Sequence, residues 1–201
     1  ILLSNYIIIF IFNKHILNFE SNPFDILLKS SDFEDINKGR KAANLICLQD
    51  NLIPLVRTTT IYKKKNQHFK DIHYNIIENI KKISQYKKLE VNTCLLELYI
   101  SQYKTMGFHT DQALDLKDEL FICLFSCYND PDTKSLRKLV VKNKSTNNSF
   151  DIKLEHNSVI IFSVKTNREY LHKIILDSSE SKDLWIGATF RYSKTSIYFS
   201  N

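Results

Sequence analysis

The 201-residue chain is poor in the residues that interrupt secondary structure, with only three glycines and three prolines. That scarcity excludes low-complexity linkers between folded units, and no internal repeat is visible, which excludes a solenoid or propeller array. Its four cysteines, Cys47, Cys94, Cys123 and Cys127, contain no Cys-x-x-Cys pair, and two of them sit inside apolar runs. They read as buried thiols of a reducing compartment rather than as disulfides or a zinc site. A bilayer-length hydrophobic run is also missing. The apolar stretch Ile1 to Phe12 stops at Asn13-Lys14-His15, too short to span a membrane, and no basic region precedes it as in a signal peptide. It reads as a buried strand, with a truncated membrane anchor as the rival reading. A chain opening on Ile rather than Met also fits a fragment or a processed product.

Hydrophobic residues at 43% and charged residues at 25% describe a soluble globular protein large enough for one ordinary domain. The expectation is an intracellular monomer, cytoplasmic or nuclear, without membrane attachment. The net charge of +6 arises from 28 Lys and Arg against 22 acids. Such a balance attracts polyanions, and it equally fits a lysine-rich solvated surface.

Asn22-Pro23 opens a short helix over Phe24 to Lys29, since Asn caps well and Pro is tolerated at the first helical position. Ser30 to Arg40 reads as a charged loop. Leu45 to Leu48 and Leu55 to Tyr62 read as strands, the latter for its β-branched Thr58, Thr59 and Thr60. Ile72, Ile76, Ile77, Ile80 and Ile83 recur at helical spacing and predict an amphipathic helix over Phe69 to Tyr86, with His73 near its apolar stripe as a packed helix histidine. Seven strands follow: Cys94 to Ile100, Leu120 to Tyr128, Leu136 to Lys142, Phe150 to Leu154, Ser158 to Val164, Leu171 to Leu176 and Leu184 to Tyr192. Their even spacing and polar turns predict an α+β, mainly β protein, a sandwich or jelly roll with a supporting helix. Residues 1–44 are expected to form an extension packed on a core domain over 45–201.

In an extended turn, residues two apart face one side, so His109 and Asp111 can meet one ion while Thr110 turns away. Alone, His-x-Asp fits a surface turn as well as a metal site. A distant histidine would complete two imidazoles and one carboxylate on one face of a metal, leaving open positions as in non-haem Fe(II) oxygenases. His172 is that candidate, in the strand after Ser158 to Val164, and Arg191 follows on the next strand, where a guanidinium fork can anchor a dicarboxylate. The competing histidine, His156, reads as a turn residue.

In order, Leu95-Leu96-Glu97-Leu98-Tyr99, then His109-Thr110-Asp111, then Leu154 to Phe162, then His172, then Thr189-Phe190-Arg191, the chain resembles the AlkB-like branch of the 2-oxoglutarate and Fe(II)-dependent oxygenases. The similarity spans about Pro54 to Tyr192 and implies a double-stranded β-helix. It implies Fe(II) on His109, Asp111 and His172, with O₂ as the oxidant. It places 2-oxoglutarate against Arg191, Tyr99 and Thr189, and a substrate lid near 54–66. It also implies a methylated DNA or RNA substrate, oxidatively demethylated or hydroxylated. Arg57, Tyr62 and Tyr170 are the candidate substrate contacts, with Lys63, Lys64 and Lys65 along a phosphate backbone and Tyr62 or Phe69 as a stacking surface.

Three positions depart from the family's pattern. Glu97 stands where an Asn is usual and would repel a co-substrate carboxylate unless it is paired or turned away. Trp185 stands where a second Arg, six before Arg191, is usual. Gln112-Ala113 replaces the acid that often follows the His-x-Asp turn. These departures keep two rivals open: a catalytically impaired binding module on the same fold, and a hydroxylase of a protein side chain. A zinc hydrolase on the same triad lacks a nameable general base.

Overall fold

The computed structural model describes residues 11–48, 51–176 and 182–198. The predicted strand over the N-terminal apolar run falls almost entirely on residues 1–10, outside the described residues. The first described strand, β1 (Asn13–Ile16), begins where that run ends and pairs antiparallel with β10 (Ser158–Ser163). Helix α1 (Pro23–Ser30) starts as expected, the Asn22 side chain accepting a hydrogen bond from the Phe24 N–H at 2.9 Å.

The expected loop from Ser30 to Arg40 is instead a hairpin of β2 (Glu34–Asn37) and β3 (Arg40–Ile46), turned through Asn37, Lys38 and Gly39 at positive φ. A Cβ on Gly39 would also lie 2.6 Å from an Ile100 carbon, so both conformation and space require glycine there. The predicted strand over Leu55 to Tyr62 does not form. Only Leu52–Pro54 is strand (β4), and the threonine-rich stretch after it has no ladder partner. After the two-residue β5 (Gln67–His68), the amphipathic helix is α2 (Asp71–Lys81), shorter than its periodicity implies, with a 3₁₀ turn at Ser84–Tyr86.

The predicted later strands are all present within two residues of their expected ends. They are β6 (Thr93–Tyr99), β7 (Phe121–Tyr128), β8 (Lys138–Asn143), β9 (Ser149–Lys153), β10, β11 (Tyr170–Ile175, after the short α3, Val164–Glu169) and β12 (Trp185–Arg191). A last strand, β13 (Ser196–Tyr198), pairs with β4. The main sheet runs β1-β10-β7-β12-β6-β3-β2, with β5 beside β3, and a second sheet runs β11-β8-β9. The chain is therefore mainly β, built as a double-stranded β-helix. The boundary expected at 44/45 cuts through β3, and β1 to β3 are hydrogen-bonded into the main sheet rather than laid over it.

Strand alternation gives the main sheet two different faces. Cys94, Leu96 and Leu98 of β6, Cys123, Phe125 and Cys127 of β7, and Ile186, Ala188 and Phe190 of β12 point one way, into a core shared with α1 and α2. Phe69, expected as a possible stacking surface, is buried in that core. The intervening residues face the second sheet across an inner space. The cysteines are free thiols, three of them buried, and no helix among the described residues is long and apolar enough to cross a membrane.

Candidate metal centre

The backbone brings the two sequence-distant halves of the site together. His109 and His172 form an isolated antiparallel bridge, each N–H donating to the other's carbonyl at 3.0 and 2.8 Å. With Thr105 bridged to Ile175, the segment before Asp111 acts as one more strand of the second sheet. One metal-binding atom from each of His109, Asp111 and His172 lies within 4.8 Å of the others, and His172 Nε2 is 3.8 Å from Asp111 Oδ1. An ion with ~2.1 Å bonds holds the mutually adjacent ligands of one face about 3 Å apart, so side-chain movements of up to about 2 Å would close the triad on one ion.

The protonation pattern suits a cation. His109 Nδ1 donates to the Gly107 carbonyl at 3.0 Å, which leaves Nε2 as the free lone pair. His172 is almost fully buried. Burial dominates and, although Asp111 opposes it, lowers its pKa to about 4, so the imidazole is neutral. Burial works against the Asp111 charge too, but Arg191 and then the two histidines outweigh it and hold the carboxyl below its usual range. Two neutral imidazoles and a carboxylate are the donor set of the Fe(II) facial triad.

Asn167, on α3, is a residue that sequence reasoning missed. Its side chain is 1% exposed and makes a reciprocal pair with the Asp111 backbone: the Asp111 N–H donates to Asn167 Oδ1, and Asn167 Nδ2 donates to the Asp111 carbonyl, both at 2.9 Å. Two fixed backbone groups set the direction in which the Asp111 carboxylate leaves the chain. A carboxamide side chain, with donor and acceptor together, is what offers this, and no motif spacing announces it.

Beside the triad lies a cavity of about 550 Å³, in the range of small-molecule sites. It is lined by Thr189 and Arg191 of β12, by Glu97, and by Arg57 and Tyr62. Arg191 does not face the cavity freely, since its Nε donates to Asp111 Oδ2 at 3.0 Å. Glu97 is paired: Arg40 Nε and Nη2 reach its Oε1 at 2.7 and 2.6 Å. Burial disfavours the Arg40 charge, but Glu97 outweighs it and the guanidinium is held protonated. The repulsion expected from Glu97 is thus cancelled by a residue from β3. Arg57 Nε donates to Asp115 Oδ2 at 2.5 Å, and burial raises the Tyr62 pKa.

Tyr99 and Tyr170 are not brought to the cavity wall. Tyr99 lies deeper, fully buried against Trp185 with ring centroids 4.8 Å apart. Its hydroxyl pKa is raised first by burial and then by Glu97. Tyr170 packs edge-on to Phe12 at 5.7 Å, outside the cavity. His156 accepts a hydrogen bond from the Tyr128 N–H at 3.2 Å and takes no part in the site.

A family model described as the 2OG-Fe(II) oxygenase superfamily matches residues 49–196. The chain belongs to that superfamily. The oxygenase is similar in fold to the solved structure of OsALKBH1, at a TM-score of 0.60 and 16% identity, covering 90% of this chain and 97% of that one. It is also similar to a Pseudomonas putida prolyl-4-hydroxylase, at a TM-score of 0.51 and 10% identity, covering 90% and 92%. A search of curated proteins returns no match. The oxygenase is therefore an Fe(II) and 2-oxoglutarate-dependent enzyme using O₂, AlkB-like in fold, and its His-Asp-His group fits the metal that this chemistry requires.

Proposed function

We propose that the oxygenase acts on a methylated nucleic-acid base, with His109, Asp111 and His172 holding iron and with Arg191, Thr189 and Tyr99 on the co-substrate side. The observation that carries this reading is the cavity joining the triad to the Arg57–Tyr62 segment, large enough for a co-substrate and an extruded base together. When bound, iron with 2-oxoglutarate and O₂ supplies oxidation of a substrate C–H bond, coupled to decarboxylation of the co-substrate; hydroxylating an N-methyl group in this way releases formaldehyde.

The chain's own residues set the conditions for that chemistry. Arg191 fixes the carboxylate of Asp111 from the side opposite His172 and keeps it ionised. Asn167 fixes its backbone. Leu124, Leu139 and Phe162 give the inner cavity an apolar lining that excludes water. On the cavity wall, Tyr62 offers a ring for stacking, and the exposed Lys63 and Lys65 beside it supply positive charge for a phosphate backbone. The net charge of +6 supports the same reading. Arg57 is held by Asp115 and serves to shape the cavity wall more than to add charge.

The test is substrate-stimulated turnover. Incubated with Fe(II) and 2-oxoglutarate, the protein should form succinate faster with methylated single-stranded oligonucleotides than with unmethylated ones, and release formaldehyde in step. Stimulation by peptides and not by any methylated oligonucleotide would replace the nucleic-acid reading with hydroxylation of a protein side chain.

A further inference from the structure

The inner space is built in layers, because residues two apart on a strand share a face and stand ~7 Å apart. The first layer, at the level of His172, contains Val141, Leu124, Leu95 and Thr189. One step inward come Ile174, Leu139, Ser126, Glu97 and Gly187. One step further come Tyr99, Tyr128, Trp185 and, from the foot of β8, Arg137.

Each of the three arginines that line the cavity is already paired with a carboxylate: Arg191 with Asp111, Arg40 with Glu97 and Arg57 with Asp115. Arg137 differs from all three. It is 1% exposed, and no carboxylate among the described residues pairs with it. Its Nη1 and Nη2 donate to the carbonyls of Tyr103 and Ile100 at 2.8 and 2.9 Å. Its guanidinium carbon stands 5.0 Å from the Tyr99 ring centre and 5.9 Å from that of Trp185. A buried guanidinium without a counter-charge is costly even on aromatic faces. Burial accordingly brings its pKa down to about 10.

Around it stand donors that are also unused. The Trp185 indole N–H and the Ser126 hydroxyl are fully buried without partners, and the Tyr99 hydroxyl, beside Glu97, has no aligned partner. The indole covers Gly187: a Cβ there would be 2.1 Å from a Trp185 ring carbon, so the ring reaches into the layer just beneath the cavity. A trapped water could satisfy the neutral donors, but it could not balance a cation. Converging N–H and O–H groups around an unbalanced guanidinium call for an anion.

We propose that Arg137, supported by Tyr99, Ser126 and Trp185, anchors the carboxylate of 2-oxoglutarate that lies away from the metal. This rests on the oxygenase reading of the site. In the family's pattern that anchor is an arginine at the β12 position which Trp185 occupies; here the cation enters from β8 and the tryptophan contributes only an N–H. Arg137 stands four residues along β8 from Val141, the backbone partner of His172, or ~13 Å of strand. A five-carbon diacid and an arginine side chain reaching toward each other bridge that span. Leu139, between them, already forms part of the cavity wall.

The test compares two 2-oxo acids that share the metal-binding head. The protein loaded with Fe(II) under anaerobic conditions is titrated calorimetrically with 2-oxoglutarate and with 2-oxopentanoate, which lacks the second carboxylate. Wild type should prefer 2-oxoglutarate strongly. Arg137→Met should weaken 2-oxoglutarate binding ~100-fold, as expected on losing a buried charge partner, while 2-oxopentanoate changes less than about threefold; Arg137→Lys should recover part of the loss. If Arg137→Met does not fold, Tyr99→Phe replaces it, with about a tenfold loss confined to 2-oxoglutarate. Equal weakening of both acids, unchanged 2-oxoglutarate affinity, or a wild type that binds the two acids alike would overturn the assignment. A metal-loaded wild type that binds neither acid would instead refute the oxygenase reading beneath it.

Discussion

Replacing Arg40 with Met gives a quantitative test of how the site tolerates an acid beside its co-substrate. The Arg40–Glu97 pair is 2.6 Å at its closest, with side chains 14% and 8% exposed. At an effective dielectric constant of 20 the attraction is about 6 kcal/mol before desolvation is counted. Desolvation of both groups cancels part of that, and breaking such a pair from one side costs roughly 3 kcal/mol, since the remaining carboxylate stays buried without a partner. For a domain of this size that is a fall in Tm of about 6–12 °C. Arg40→Met should show it in thermal unfolding at neutral pH, and should also weaken 2-oxoglutarate binding by leaving Glu97 uncompensated. Adding Glu97→Gln removes the stranded charge, so the double variant should recover most of both losses. A cost below about 1 kcal/mol for Arg40→Met, or two substitutions that add without rescue, would refute the pairing of Glu97 by Arg40.

Further predictions follow from other elements. His73 is fully buried on α2, its Nδ1 accepts the Lys70 N–H, and burial lowers its pKa to about 4. The folded state then binds fewer protons than the unfolded one, so stability from the neutral ring is complete above pH ~6.5 and is lost as pH falls toward 4, amounting to about 3 kcal/mol. Urea unfolding of His73→Leu should lose that acid-side slope. Asn167→Ala removes both bonds to the Asp111 backbone and should lower Fe(II) affinity ~10-fold in a metal titration while the circular dichroism spectrum stays that of wild type. Gly187→Ala puts a methyl group where the Trp185 ring lies and should cost ~2 kcal/mol; Trp185→Ala in the same chain should abolish that specific clash, leaving the two effects non-additive by denaturant unfolding.

Where the sequence carried a period, the fold could be read from it. The strands from Cys94 onward alternate or run apolar between polar turns, and each appears within two residues of its expected ends. Arg40-Lys41-Ala42-Ala43-Asn44 gave no such signal, because its inward positions hold Arg40, Ala42 and Asn44 rather than large apolar residues, so β3 was visible only at its Leu45-Ile46 end. Thr58 to Thr60 erred the other way: their β-branching suits a strand, but no neighbouring segment pairs with them. In the site, the candidate metal ligands were legible as a group because their types and order are specific to the chemistry. Their supports were not. Asn167, Arg40 and Arg137 reach Asp111, Glu97 and Tyr99 from elements 56, 57 and 38 residues away, and such pairing follows from strand order rather than from any local pattern. Glu97 and Trp185 were legible as departures, while the partner that neutralises Glu97 lay on β3.

One metal held by His109, Asp111 and His172, with 2-oxoglutarate beside it, is the centre of the proposed function. Anaerobic addition of Fe(II) and then 2-oxoglutarate, followed by visible absorption, tests it most directly. A weak metal-to-ligand charge-transfer band should grow in with wild type and be absent in His172→Ala. A folded wild-type protein that shows no band, or a His172→Ala variant that shows it undiminished, would contradict the assignment.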